Sequence, residues 1–132
     1  MTDFRHTTTV SWSGTGNSTF GGTLVDTGDA EDNREVVIAS STEQQVDIAW
    51  VRARLQHLFI MADQNLSIAT NQAATGTPGD TLAVVANYPV SYSRSAGQTV
   101  PMNSADVTAL FVTNATSSSA TLRIRILKDS TV

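Results

Sequence analysis

The chain has 132 residues and a formal net charge of −4, enough for one packed core and too few for two ordinary domains. The negative field repels phosphate backbones, and no cluster of Lys and Arg reverses it locally, so nucleic acid is not an expected partner. Cysteine is absent, which excludes disulfide scaffolds, thiolate zinc sites and cysteine nucleophiles.

Ser and Thr make up a quarter of the chain and only 15% of residues are charged. β-Branched and hydroxyl side chains suit a pleated, half-exposed surface better than a helix. Period-2 alternation recurs and no long segment keeps a 3.6-residue stripe. The expectation is an all-β fold: an antiparallel, jelly-roll-like β-sandwich of about eight strands with an extended N-terminal arm.

Residues 1–10 carry no apolar stretch of signal-peptide length. The longest apolar run, residues 58–62, is far below the roughly 18 residues that span a membrane. Synthesis in the cytoplasm, with no membrane partner, is therefore expected. Residues 1–34 read as an arm: Phe4, His6, Thr8, Val10 and Trp12 alternate, followed by a glycine-rich turn at 13–18, Gly21-Gly22 and the acidic run 26–32. One or two strands fit here, joined through a flexible acidic loop to a sandwich over 35–132. Within the arm, Phe4, Arg5, His6, Val10 and Trp12 are the candidate partner interface, because an alternating segment can add a strand to a neighbour's sheet edge.

From residue 35 the predicted strands follow at short intervals. The first two are 35–39 and 45–51, the second with Val46, Ile48 and Trp50 alternating against Gln45, Asp47 and Ala49. Strands 54–62 and 66–70 flank a turn whose Asp63 and Asn65 are expected to bond their own backbone. After a loop at 73–80 come 81–86 and 89–93, with Pro89 favouring an edge. The last two, 108–113 and 120–128, flank the polar turn 114–119 and are expected to form a hairpin. In the final strand Leu122, Ile124 and Ile126 point one way while Arg123, Arg125 and Leu127 point the other, which predicts one wet face. Evenly spaced short strands with no crossover helix exclude a parallel sheet.

The residues with chemical potential do not assemble into a site. His6 and His57 lie far apart in sequence and neither has a metal-ligand spacing; His6 is expected exposed on the arm and His57 on the polar face of a strand. No Gly-x-Ser-x-Gly elbow occurs among the many serines. Asp26, Asp29, Glu31 and Asp32 offer hard oxygen ligands for calcium, yet lack the spacing of an EF-hand and read as solvated loop charge. Trp12, Trp50, Tyr88 and Tyr92 suit either core packing or a sugar-stacking platform. Arg52, Arg54, Arg123 and Arg125 read as wet faces of strands or as partners for acidic residues. The sequons at Asn17, Asn65 and Asn114 are chance matches in so Ser/Thr-rich a chain. No catalytic, metal-binding or cofactor-binding residue is assigned, and the expectation is a protein that is not an enzyme and takes no cofactor.

One ordered set of segments resembles a known family. It runs from Leu-Phe-Ile-Met-Ala-Asp at 58–63 through Asn-Leu-Ser-Ile-Ala-Thr-Asn at 65–71, Asp-Thr-Leu at 80–82 and Ala-Asn-Tyr-Pro at 86–89. Residues 101–107, Val-Thr-Asn at 112–114 and Ala-Thr-Leu-Arg-Ile-Arg-Ile-Leu-Lys-Asp at 120–129 complete it. The order is similar to that of jelly-roll head decoration, or capsid cementing, proteins of tailed bacteriophages, over about residues 45–129. The resemblance implies a non-enzymatic virion protein on the capsid exterior, made in the host cytoplasm. Such a protein is a dimer or trimer that bridges subunits of the major capsid protein and reinforces the shell. The family supplies no catalytic residue to transfer. Other readings are a tail- or fibre-associated phage component and a carbohydrate- or calcium-binding sandwich.

Overall fold

A computed structural model describes residues 4–16, 19–102 and 104–129. The described residues form ten strands: β1 (Phe4–Ser13), β2 (Thr19–Gly28), β3 (Ala30–Ile38), β4 (Thr42–Val46), β5 (Leu55–Ala62), β6 (Leu66–Thr70), β7 (Thr81–Val84), β8 (Val90–Ser93), β9 (Leu110–Asn114) and β10 (Ala120–Lys128). β1 and β2 pair as a hairpin, and the other eight build two four-stranded sheets, ordered β3-β10-β5-β8 and β4-β9-β6-β7. Every pairing is antiparallel. Successive strands alternate between the two sheets except at β6 and β7, which pair directly. That winding is the jelly-roll order, so the all-β sandwich expected from the alternation is the observed fold.

Period-2 patterning builds the interior. Leu122, Ile124 and Ile126 of β10 face inward with Leu58 and Ile60 of β5, against Ile68 of β6 and Leu110 and Val112 of β9, all fully or almost fully buried. Trp50, Met102 and Val107 belong to the same core; Trp50 and Val107 exchange backbone hydrogen bonds of 2.9 and 3.0 Å, an isolated bridge. The core is thus continued by segments outside the named strands.

Several expectations are corrected. The predicted strand at 45–51 is shorter and earlier: β4 ends at Val46, and Ile48 and Trp50 turn inward from non-strand backbone. The expected hairpin of the last two strands does not form, because β9 lies in one sheet and β10 in the other. Asn114 makes the crossing instead. Its buried amide donates to Ile38 O at 3.1 Å and Ser118 O at 2.8 Å, while its carbonyl oxygen accepts from Thr116 N and Oγ1. Asp63 and Asn65 likewise bond distant backbone, Thr121 N and Ala86 N, at 2.8 Å each. A crossing between sheets needs long-range partners, and these side chains supply them.

The acidic run 26–32 is not a flexible loop. Asp26 ends up buried in β2, Glu31 and Asp32 lie in β3, and Asp29 alone separates the two strands. The boundary expected at 34 falls inside β3, which pairs along β10 from Ala30 to Ile38. Eight strands do make the sandwich, but they begin at residue 30. Nor is β10 wet on its outer face throughout: Arg123 is exposed, yet Leu127 is fully buried. The hairpin covers it.

The interior predicts its own test. Ile124→Ala removes a fully buried side chain at the centre of the β3-β10-β5-β8 sheet and should destabilise the fold by about 2–5 kcal/mol. Arg123→Ala, one residue away on the exposed face, should change stability by less than about 0.5 kcal/mol. Chemical denaturation followed by circular dichroism measures both.

Candidate functional site

The hairpin lies on the outer face of the β3-β10-β5-β8 sheet. Register puts Glu31, Leu127, His57 and Ser93 side by side across its four strands, with outward-facing side chains in one transverse row. This row receives the base of the hairpin. Within the hairpin, Phe4, His6, Thr8, Val10 and Trp12 of β1 stand opposite Gly28, Asp26, Leu24, Gly22 and Phe20 of β2. Cross-strand partners share a face, so these ten residues form one side of the ribbon.

Three contacts clasp the base to the row. Gly28 approaches β10 so closely that a Cβ there would stand 2.7 Å from Lys128 O and 3.2 Å from the Leu127 side chain; only glycine permits that approach. Asp26, 3% exposed, accepts from Ser93 Oγ at 2.7 Å and Ser95 N at 3.0 Å, while Ser95 Oγ donates to Val25 O at 2.8 Å. A buried carboxylate requires such donors.

The third contact is a relay through two imidazoles. His6 Nδ1 and His57 Nδ1 are 3.1 Å apart, with the rings edge to face; His6 Nε2 is 3.0 Å from Glu31 Oε2 and His57 Nε2 is 2.8 Å from Thr8 Oγ1. The partners fix the proton positions for neutral rings. The Glu31 carboxylate only accepts, so His6 carries its proton on Nε2 and leaves Nδ1 bare. His57 must then donate from Nδ1 and accept at Nε2 from the Thr8 hydroxyl. The chain of donation runs Thr8, His57, His6, Glu31. His57 is only 3% exposed. Burial pushes its pKa below the ordinary histidine value, the neighbouring His6 pushes it further down, and Asp26 opposes them. Both histidine expectations are therefore corrected: His57 is buried, and His6 turns into the seam instead of standing free.

Beyond the clasp the same ribbon face becomes apolar and open. Val10, Trp12 and Phe20 are 52%, 49% and 68% exposed. Trp12 and Phe20 are cross-strand partners whose rings stack at 5.0 Å with 29° between planes, and Trp12 lies over Gly14, where any side chain would collide with the indole. Asn17 and Ser18 of the turn, including the Asn17 sequon, lie outside the described residues. Of the five expected contact residues, Phe4, Arg5, Val10 and Trp12 are at the surface and His6 is engaged internally. Phe20 completes the apolar strip; its place opposite Trp12 could be read only with the hairpin register.

The other candidates do not converge. Trp50 and Tyr92 are core residues, whereas Trp12 and Tyr88 are exposed, so the four aromatics make no common platform. The acids have separate partners: Asp26 the serines, Glu31 His6, and Asp32 a two-point pairing with Arg34 at 2.8 and 3.2 Å. Among the described residues, no group of three His, Asp or Glu is placed to hold a metal ion.

Asp26→Ala should loosen the hairpin without unfolding the sandwich. It strips the Ser95 amide of its acceptor, at about 1–3 kcal/mol. Native-state hydrogen exchange should show protection lost in residues 19–28 and retained in β5 and β10.

No protein-family model matches the chain, and comparison with curated proteins finds no match. Among solved structures it is similar to a de novo designed double-stranded β-helix determined by solution NMR. The two share 11% identity at a TM-score of 0.42, over 72% of this chain and 97% of the designed one.

Proposed function

We propose that the protein is a non-enzymatic structural component of a virion, a decoration or cement protein of a tailed-phage head. In this reading it binds the outer surface of the capsid as a dimer or trimer and stabilises the shell by bridging subunits of the major capsid protein. A ligand that binds only the assembled shell stabilises it by mass action, and symmetric copies add avidity. Two things support the reading: the resemblance of residues 45–129 to the decoration family, and the exposed strip of Val10, Trp12 and Phe20 on a hairpin anchored at its other end. The strip is the observation that carries it. Large aromatic side chains ordered before contact lose little entropy on binding and dominate interface energetics.

The test separates binding from folding. Trp12→Ala and Phe20→Ala should each weaken binding to purified heads by about 2 kcal/mol, roughly 30-fold, with fold stability shifted by no more than about 0.5–1.5 kcal/mol, the contribution of one stacked aromatic pair. Undiminished occupancy after both substitutions would rule out the hairpin as the contact. A mass-spectrometric inventory of purified particles tests the role itself. Copy number comparable with the major capsid protein supports cement, whereas a few copies per particle indicate a tail- or fibre-associated component. Absence from particles, with binding on a glycan array or a calcium-dependent melting shift, would replace the reading with a carbohydrate- or calcium-binding module.

A further inference from the structure

We propose that the contact between His6 and His57 is an acid-sensitive latch, which keeps the hairpin docked with one added proton and releases it on the second. The inference comes from the geometry of the relay and is independent of what the hairpin tip binds.

The neutral pair is fully satisfied, with Thr8 donating to His57, His57 to His6 and His6 to Glu31. A first proton placed on His57 Nε2 costs no hydrogen bond, because the Thr8 hydroxyl rotates from donor to acceptor. A second proton has only His6 Nδ1 left. That atom accepts the His57 N–H at 3.1 Å, so its protonation sets two N–H groups and two positive charges face to face. The contact cannot survive in that form.

The charged groups around the pair do not remove the conflict. Arg5 of β1 and Arg125 of β10 line the same groove as the two imidazoles and oppose further positive charge. Glu31 of β3 and Asp26 of β2 favour it, but Glu31 is bound to the far nitrogen of His6 and Asp26 to the serines. Arg94, just beyond β8, is turned to the carbonyls of Leu55 and Ala53, and Lys128 of β10 to that of Ala49. None of them separates the two Nδ1 atoms.

The sign of the pH dependence follows from proton counts. With the hairpin lifted, the two imidazoles no longer face each other and both can be charged in acid; the docked form has room for one added proton at most. Burial and His6 hold the docked His57 below its ordinary value. The latch is therefore at full strength above about pH 6.5 and weakens as pH falls. Where the lifted form holds one proton more than the docked form, the ratio of docked to lifted hairpin drops about tenfold per pH unit.

An NMR titration of the uniformly ¹⁵N-labelled full chain from pH 7.5 to 5.0 tests the latch. Amides of residues 4–9 and 23–28 should lose exchange protection, and both imidazoles should move to the shifts of free imidazolium, while β5 and β10 keep their protection. His6→Gln and His57→Gln should each abolish the transition. If the buried His57→Gln variant does not fold, His6→Gln decides, with a native circular-dichroism spectrum at pH 7.5 as the check on folding. A wild-type hairpin still protected at pH 5.0, or an unchanged transition in His6→Gln, would overturn the proposal.

Discussion

A two-stranded ribbon in water is marginal on its own, so the order of β1 and β2 depends on what fastens them to the sandwich. Here the fastening is polar and confined to one end. His57 and Ser93 on the sheet and Glu31 at its edge meet His6, Thr8 and Asp26 on the hairpin, and Leu127 beneath Gly28 adds the apolar contact. Each hydrogen bond contributes a modest net stability, but each group left without its partner in the seam costs more. The seam is therefore selective for one register of the hairpin on the sheet.

The ribbon divides its single patterned face into two uses. Phe4 to Thr8, opposite 24–28, carries the polar groups that match the row below, and Val10 to Trp12, opposite 20–22, carries apolar groups that stay about half exposed or more. A strand gives all alternate residues the same side, so the surface that fixes the base also orients the aromatic tip. Its stacked rings restrict each other before any partner arrives.

How much of this was legible in the sequence depends on whether the cause was local. Strands β6 and β10 follow from alternation with their observed bounds, Leu66–Thr70 and Ala120–Lys128, because periodicity is a property of the segment itself. The β9–β10 hairpin was a natural inference from a six-residue polar turn. It fails because Asn114 bonds Ile38, a partner 76 positions away that no local pattern announces. The acidic run misleads for a related reason: charge density reads as solvation until Ser93, Ser95, His6 and Arg34 are brought beside it. The arm's alternation did identify its patterned face, including Val10 and Trp12, but periodicity cannot say which half of a face will be covered. A serine–aspartate or histidine–histidine pair across some fifty to seventy residues is a product of topology, and the sequence carries no local sign of it.

The brevity of the link between β2 and β3 has a consequence for how the hairpin behaves in time. With Asp29 as the sole connector, a ribbon that comes off its row stays tethered within reach of it. Return is an intramolecular event at the high effective concentration that short tethers impose.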